Sequence, residues 1–172
     1  MTKKERPEMK RNNAKGFTLI ELVVVIVILA ILAATVLPRF AELSDEAHRA
    51  SVQGTAGALG SAVALVKAQW KGEGAPGAGV VEGFGRGNVE VNEDGWPESV
   101  TDEGDNCVAL WGALLQSNAP TISRSEDDDP DYVVTGGTGG ECNYEYVLDD
   151  RGAQIEYDPE EGEVSVVGNE LD

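Results

Sequence analysis

The chain has 172 residues, enough for one domain with a modest core, and a formal net charge of −18. The charge is uneven: residues 1–16 carry six basic side chains against Glu5 and Glu8, a net +4, which leaves −22 for the remainder. So anionic a body repels phosphate and excludes a direct electrostatic grip on nucleic acid, and its acids read as a solvated surface.

The basic head leads into an apolar run, Phe17 to Leu37, interrupted only by Thr18, Glu21 and Thr35. As a helix rising about 1.5 Å per residue it reaches roughly 31 Å, the thickness of a bilayer core. The preceding basic residues set the N-terminus in the cytoplasm and the rest across the membrane. Cys107 and Cys142 then lie on the exported side, where an oxidising compartment favours a disulfide between them.

An ordinary secretory signal ends in small residues of A-x-A type after its apolar region, and Leu32-Ala33-Ala34 is a poor version of that site. The small residue that stands out is Gly16, placed before the run. Lys15-Gly16-Phe17-Thr18-Leu19-Ile20-Glu21 resembles the processing site of type IV prepilins and related pseudopilins, and the match extends to Pro38, where the family's helix also has a proline. The resemblance implies a leader ending at Gly16, cut there by a dedicated membrane peptidase that also N-methylates the new first residue, Phe17.

It also makes sense of Glu21. A carboxylate in hydrocarbon is costly unless paired or wetted. Cutting after Gly16 creates a protonated amine on Phe17, four residues away, within reach inside one helix or between staggered helices. The bland reading is that Glu21 snorkels to the cytoplasmic interface. The resemblance implies instead that it receives the Phe17 amine of a neighbouring subunit and sets the register of a filament.

Pro38 is expected to kink the helix without ending it. Beyond it, Phe40, Leu43, Ala47, Val52, Ala56, Leu59, Val63, Val66 and Trp70 recur at helical steps, an amphipathic continuation to residue 70. Gly54, Gly57 and Gly60 inside it suggest close packing or a soft section. Residues 71–79 form a loop; its Gly72-x-Gly74-x-x-Gly77 pattern lacks the strand before it that dinucleotide binding requires. Val80 to Val91, broken by glycines, reads as one irregular strand, and Gly95-Trp96-Pro97 as a turn with an aromatic anchor.

Asp105 or Asn106 caps a short helix carrying Val108, Leu110, Trp111, Leu114 and Leu115. The period then becomes two. Tyr132 to Val134 is a short strand. Tyr144, Tyr146 and Leu148, then Ile155 and Tyr157, then Val164 and Val166 form an antiparallel meander joined by turns at 149–152 and 158–162. A Cys107–Cys142 bond would close the loop between helix and meander, for roughly 3–4 kcal/mol. The family resemblance implies that such a region shapes the exposed surface.

The expected fold is α+β, the pilin ladle: a long N-terminal helix packed on a small antiparallel sheet. Its parts are a cleaved cytoplasmic leader (1–16), a membrane and polymerisation helix (17–37), an amphipathic continuation (38–70) and a globular head (71–172).

Asp127, Asp129 and Asp131 have the alternate spacing that opens a calcium loop, but no glycine follows at the sixth position and the twelfth is Thr138. They are weak calcium candidates beside a plainly solvated loop. His48 is the single histidine and no G-x-S-x-G elbow exists, so neither a nucleophilic triad nor a histidine-based metal site assembles. No enzymatic function and no cofactor are expected. Tyr144, Tyr146, Tyr157 and Trp111 offer a recognition surface on one reading, and half-buried sheet residues on the other.

The favoured function is a structural subunit of a type IV pilus. Its partners would be copies of itself and other pilins, the prepilin peptidase and inner-membrane assembly machinery, with no nucleic acid. It would sit in the inner membrane with a periplasmic head, then in an extracellular filament of a Gram-negative-type cell. The stretch "LPRFAELSDEAHRASVQGTAGAL", the later glycine-aromatic-proline turn and the late cysteine pair resemble most the mannose-sensitive haemagglutinin group, implying attachment. The competing readings are a type II secretion pseudopilin and a monomeric secreted binding domain.

Overall fold

The computed structural model describes residues 16–82, 84–85, 88–136, 140–149 and 151–168. Among them Leu19–Gly72 forms one α-helix, α1, with Pro38 inside it. The chain divides into two units, one ending at Leu43 and one beginning at Ser44.

In the first unit every described side chain is exposed, including the apolar residues from Phe17 to Leu43. Within the part of α1 that is apolar enough to cross a membrane, none of the described residues is buried. Such a surface is stable only in lipid or against another apolar surface.

In the second unit, Val52, Ala56, Leu59, Val63, Val66 and Trp70 are buried along one face of α1, as their spacing predicts. Phe40, Leu43 and Ala47, expected on the same stripe, are exposed instead. The first ties of α1 to the rest of this unit are polar ones. Asp45 pairs with Arg151, and His48 Nδ1 lies 2.7 Å from the Tyr146 hydroxyl. Of Gly54, Gly57 and Gly60, only Gly60 has a neighbour in reach, a Cβ there meeting Val164 at 3.7 Å; nothing lies within 4 Å of Gly54 or Gly57.

After α1 the chain builds two sheets, where a single one was expected. The first holds β1 (Gly79–Val81), β2 (Val89–Val91) and β3 (Pro97–Val100), all antiparallel. The segment read as one irregular strand is thus a hairpin, with Val81 opposite Val89 and both fully buried. Gly85 lies in the connection between the two strands, and Gly83 and Gly87 lie outside the described residues. The aromatic anchor is real. Gly95 takes a left-handed backbone (φ 83°), and any side chain there would enter the Trp70 ring. Gly162 does the same under Trp96 (φ 69°), whose other neighbour is the Lys67 ammonium, 3.3 Å from the ring centroid.

Helix α2 (Asn106–Leu114) packs on β3 and is capped by Asp105, whose carboxylate accepts from Val108 N. The second sheet has the order β4 (Ile122–Ser123), β5 (Tyr132–Val134), β6 (Cys142–Tyr146), β7 (Gln154–Asp158), β8 (Glu163–Val167). Strands β6 to β8 are the predicted meander; β5 extends it antiparallel and β4 adds a parallel edge. Burial alternates along β6 and β7, with Cys142, Tyr144, Tyr146, Ile155 and Tyr157 inward. Leu148, expected to continue the alternation, is exposed, because the ladder closes where Tyr146 N donates to Ala153 O and the chain turns. The tyrosines carry their hydroxyls across the core: Tyr144 donates to Cys107 O at 2.9 Å and Tyr157 to Pro97 O at 2.5 Å, joining the meander to α2 and β3.

Candidate functional site

The candidate site is the start of α1. Gly16 and Phe17 precede the helix in irregular backbone, with Phe17 exposed; Lys15 lies outside the described residues. Thr18 then caps the helix. The Glu21 carboxylate reaches back to accept from Thr18 N and from Thr18 Oγ1, each at 2.8 Å, and Glu21 N approaches Thr18 Oγ1 at 3.4 Å. This is a reciprocal capping box, Thr-x-x-Glu, and both strong bonds fall on the same carboxylate oxygen, Oε2. Its sequence signal is the Thr18-x-x-Glu21 spacing at the head of the apolar run, which the pairing of Glu21 with the Phe17 amine does not use. In a membrane-length helix the box satisfies the Thr18 N–H, which the first turn otherwise leaves without an acceptor.

The other polar group in the run is also satisfied locally: Thr35 Oγ1 donates to Leu32 O at 2.9 Å. Arg39 and Glu42 form a loose exposed pair at 3.9 Å just beyond Pro38. The apolar surface of the first unit therefore has one charged side chain near its start, held at a defined place, and a boundary of charges at its end.

The second unit supports an exposed surface framed by the disulfide, which joins Cys107 and Cys142 with their Cα atoms 5.4 Å apart. Both cysteines are buried. Arg124 locks the enclosed segment with a fork: Nε and Nη2 donate to the two oxygens of Asp105, at 2.6 and 2.7 Å, while Nη1 donates to Val134 O and Gly136 O. The Arg124 hydrogen bonds hold the Asp105 carboxyl below the usual carboxylate range, and the guanidinium is raised in turn. Neither end of this fork was legible as a pair, since nineteen positions separate them.

The acidic run does not gather its carboxylates. Glu126–Asp128 form a 3₁₀ turn capped by Ser125, Asp129 is left-handed (φ 53°), and Asp131 Oδ2 accepts from Thr121 N and Oγ1 at 2.7 and 2.8 Å. Asp131 thus pins the β4–β5 pair. Thr138, at the twelfth position of the calcium pattern, lies outside the described residues. Among the described residues no three His, Cys, Asp or Glu side chains are grouped to hold a metal.

The aromatic residues do not make a recognition surface. Trp111, Tyr144, Tyr146 and Tyr157 are all buried, Trp111 stacking obliquely on Tyr144 at 4.7 Å and on Tyr132 at 5.3 Å. Burial pushes the Tyr132 hydroxyl up to about 12 and raises Tyr144 and Tyr157 further. His48 serves as a bridge to Tyr146, a packing role.

A family model described as the prokaryotic N-terminal methylation motif matches residues 11–37. The chain is 56% identical over 59 residues to the type IV narrow pilus major component PilA5 of Thermus thermophilus, covering 34% of this chain and 51% of that one. It is 44% and 42% identical over 59 residues to the type II secretion system core protein G of Klebsiella michiganensis and of Pseudomonas aeruginosa, covering 34% of this chain and 42% of each. The chain spans about half the length of the curated relatives it matches. No solved structure matches it significantly.

Proposed function

We propose that this chain, whose residues 11–37 match the prokaryotic N-terminal methylation motif, is a type IV pilin and serves as a structural subunit of a type IV pilus. One observation carries the reading. The exposed apolar stretch of α1 begins at Leu19, within the processing motif, and bears a single acid, Glu21, hydrogen-bonded at its first turn.

In this reading the prepilin peptidase removes residues 1–16 and methylates the Phe17 amine. The segment 17–37 holds the subunit in the inner membrane, with the head (71–172) and the amphipathic segment (38–70) on the periplasmic side. Assembly machinery of that membrane then transfers the helix into a filament of like subunits. There Glu21 receives the Phe17 amine of a neighbour, which fixes the stagger between copies. The Thr18 bonds keep that carboxylate at the helix start and prepare it for the exchange. The filament's role is attachment. The family is structural, and the chain's chemistry is assembly and not turnover.

The second reading, a pseudopilin of type II secretion, draws on the resemblance to core protein G. Electron microscopy separates the two: long surface filaments that vanish on deletion support the pilus, and their absence from an expressing cell removes it. Mass spectrometry of the mature chain tests the processing. N-methyl-Phe17 is the expected terminus, and a start near Thr35 would mark an ordinary signal and overturn the family mechanism.

A further inference from the structure

The rings in the core of the second unit form a series with a base at one end. Tyr144 lies 4.7 Å from Trp111, Trp111 5.3 Å from Tyr132, and Tyr132 5.2 Å from Tyr146, centroid to centroid. His48 closes the series, 5.7 Å from Tyr146. Tyr144, Trp111, Tyr132 and Tyr146 are buried, while His48 is half-buried. Rings this close are in or near van der Waals contact, so an electron passes along the series without crossing solvent.

Hydrogen bonds set one member apart. Trp111 Nε1 donates to Pro120 O and the Tyr144 hydroxyl to Cys107 O, carbonyls that do not take up a proton. The Tyr132 hydroxyl is buried near that of Thr55 and makes no hydrogen bond. Tyr146 differs: its hydroxyl lies 2.7 Å from a base, His48 Nδ1. Burial, with Asp149 and Asp131, raises this hydroxyl above its ordinary value, so it keeps its proton and donates it to Nδ1. Nε2 then carries the imidazole's own proton. The same two acids favour a positive charge on the neighbouring ring.

Beyond its packing role, we infer that the Tyr146–His48 pair is a proton-coupled redox site, where a one-electron oxidation of the aromatic core comes to rest reversibly. The oxidant is a radical of the hydroxyl class, which takes one electron from Trp111 and leaves as hydroxide. The Trp111 radical cation then draws one electron from Tyr146 through Tyr132. The Tyr146 O–H bond breaks, its proton moves to Nδ1, and a neutral tyrosyl radical stands beside an imidazolium. A thiol or ene-diol reductant resets the pair. It gives one electron to the Tyr146 oxygen, the proton returns from Nδ1, and the reductant releases its own proton to water and leaves as a radical. A positive charge on Trp111 or Tyr132 is costly in the apolar core, whereas at His48 it sits near solvent and two acids. The hole therefore settles at Tyr146. Addition of oxygen to an indole is permanent and this step is not, so the pair protects Trp111. It does so whether the head belongs to a pilus or a pseudopilus.

Pulse radiolysis of the full-length protein in detergent, with azidyl radical as the one-electron oxidant, tests the site. In the wild type a tyrosyl radical is expected to grow as the tryptophanyl radical decays, more slowly in heavy water than in light. Tyr146→Phe and His48→Phe should each lose that transfer. Tyr157→Phe, which removes a hydroxyl bound to Pro97 O outside the series, should keep it. After equal doses of hydroxyl radical, peptide mass spectrometry should find severalfold more oxidised Trp111 in Tyr146→Phe and His48→Phe than in the wild type. The isotope comparison needs no substitution, so it decides even where a variant fails to fold. No wild-type tyrosyl radical, or equal rates in the two waters, overturns the proton coupling. Transfer that survives either Tyr146→Phe or His48→Phe undiminished overturns the assignment to this pair, and equal oxidation of Trp111 overturns the protection.

Discussion

Thr18 and Glu21 satisfy each other at the entrance to α1, the carboxylate accepting from both the backbone N–H and the hydroxyl of Thr18 at 2.8 Å. The acid that looks misplaced in a membrane-length run is thereby part of the helix's own start. Cap and acid are one device, and changing either changes both.

Thr18→Val should therefore weaken assembly without preventing membrane insertion. Losing a cap costs about 1 kcal/mol, near a fivefold effect, and frees Glu21 from its defined position. Thr18→Ser restores the hydroxyl and should recover filament yield. Sheared-filament yield against total membrane-inserted subunit measures both. Equal yields from the Val and Ser variants would remove Thr18 from the mechanism.

Glu21→Ala should insert normally and assemble poorly, because the acceptor for the neighbouring amine is gone. Immunoblots of membrane and filament fractions give the answer; normal filaments would reject the pairing.

Reducing the Cys107–Cys142 bond, or Cys107→Ser with Cys142→Ser, should cost the head roughly 3–4 kcal/mol by releasing the unfolded chain. Urea unfolding of the full chain in detergent, followed by tryptophan fluorescence with and without reductant, reads the shift.

The Asp105–Arg124 fork makes a pH prediction with a definite sign. Asp105 titrates below its ordinary value of 3.8 in the folded protein, chiefly through the Arg124 hydrogen bonds. Its contribution is fully present above that value and is lost as the pH falls through the lower folded value. Arg124→Gln should reduce stability at neutral pH and flatten the pH dependence below about 4. Because the pair is partly exposed, screening keeps the effect small. Thermal unfolding across pH 2–6, on wild type and variant, provides the comparison.

Two glycine substitutions should act in opposite directions. Gly95→Ala forces a methyl into the Trp70 ring at a left-handed backbone position and should destabilise by about 1–3 kcal/mol. Gly57→Ala meets nothing within 4 Å in a regular helix and should stabilise by roughly 0.5–1 kcal/mol. Calorimetry of the two variants checks the signs.

What the sequence determined by itself was whatever one face of one element dictates. The steps from Val52 to Trp70 announced the buried stripe of α1, and the alternation at Tyr144, Ile155 and Val164 announced the meander. Gly16, Phe17 and Glu21 stood out because a charge in an apolar run is expensive wherever it falls. The tertiary structure alone decided matters that depend on closure between distant segments. It split residues 80–91 into a hairpin that sets Val81 opposite Val89, both fully buried. It buried Tyr144 and Tyr157 beyond half, their hydroxyls finding Cys107 O and Pro97 O across the core. It also left Phe40 and Leu43 exposed although their spacing matched the core. Periodicity reports which residues share a face; only the folded chain reports what that face meets.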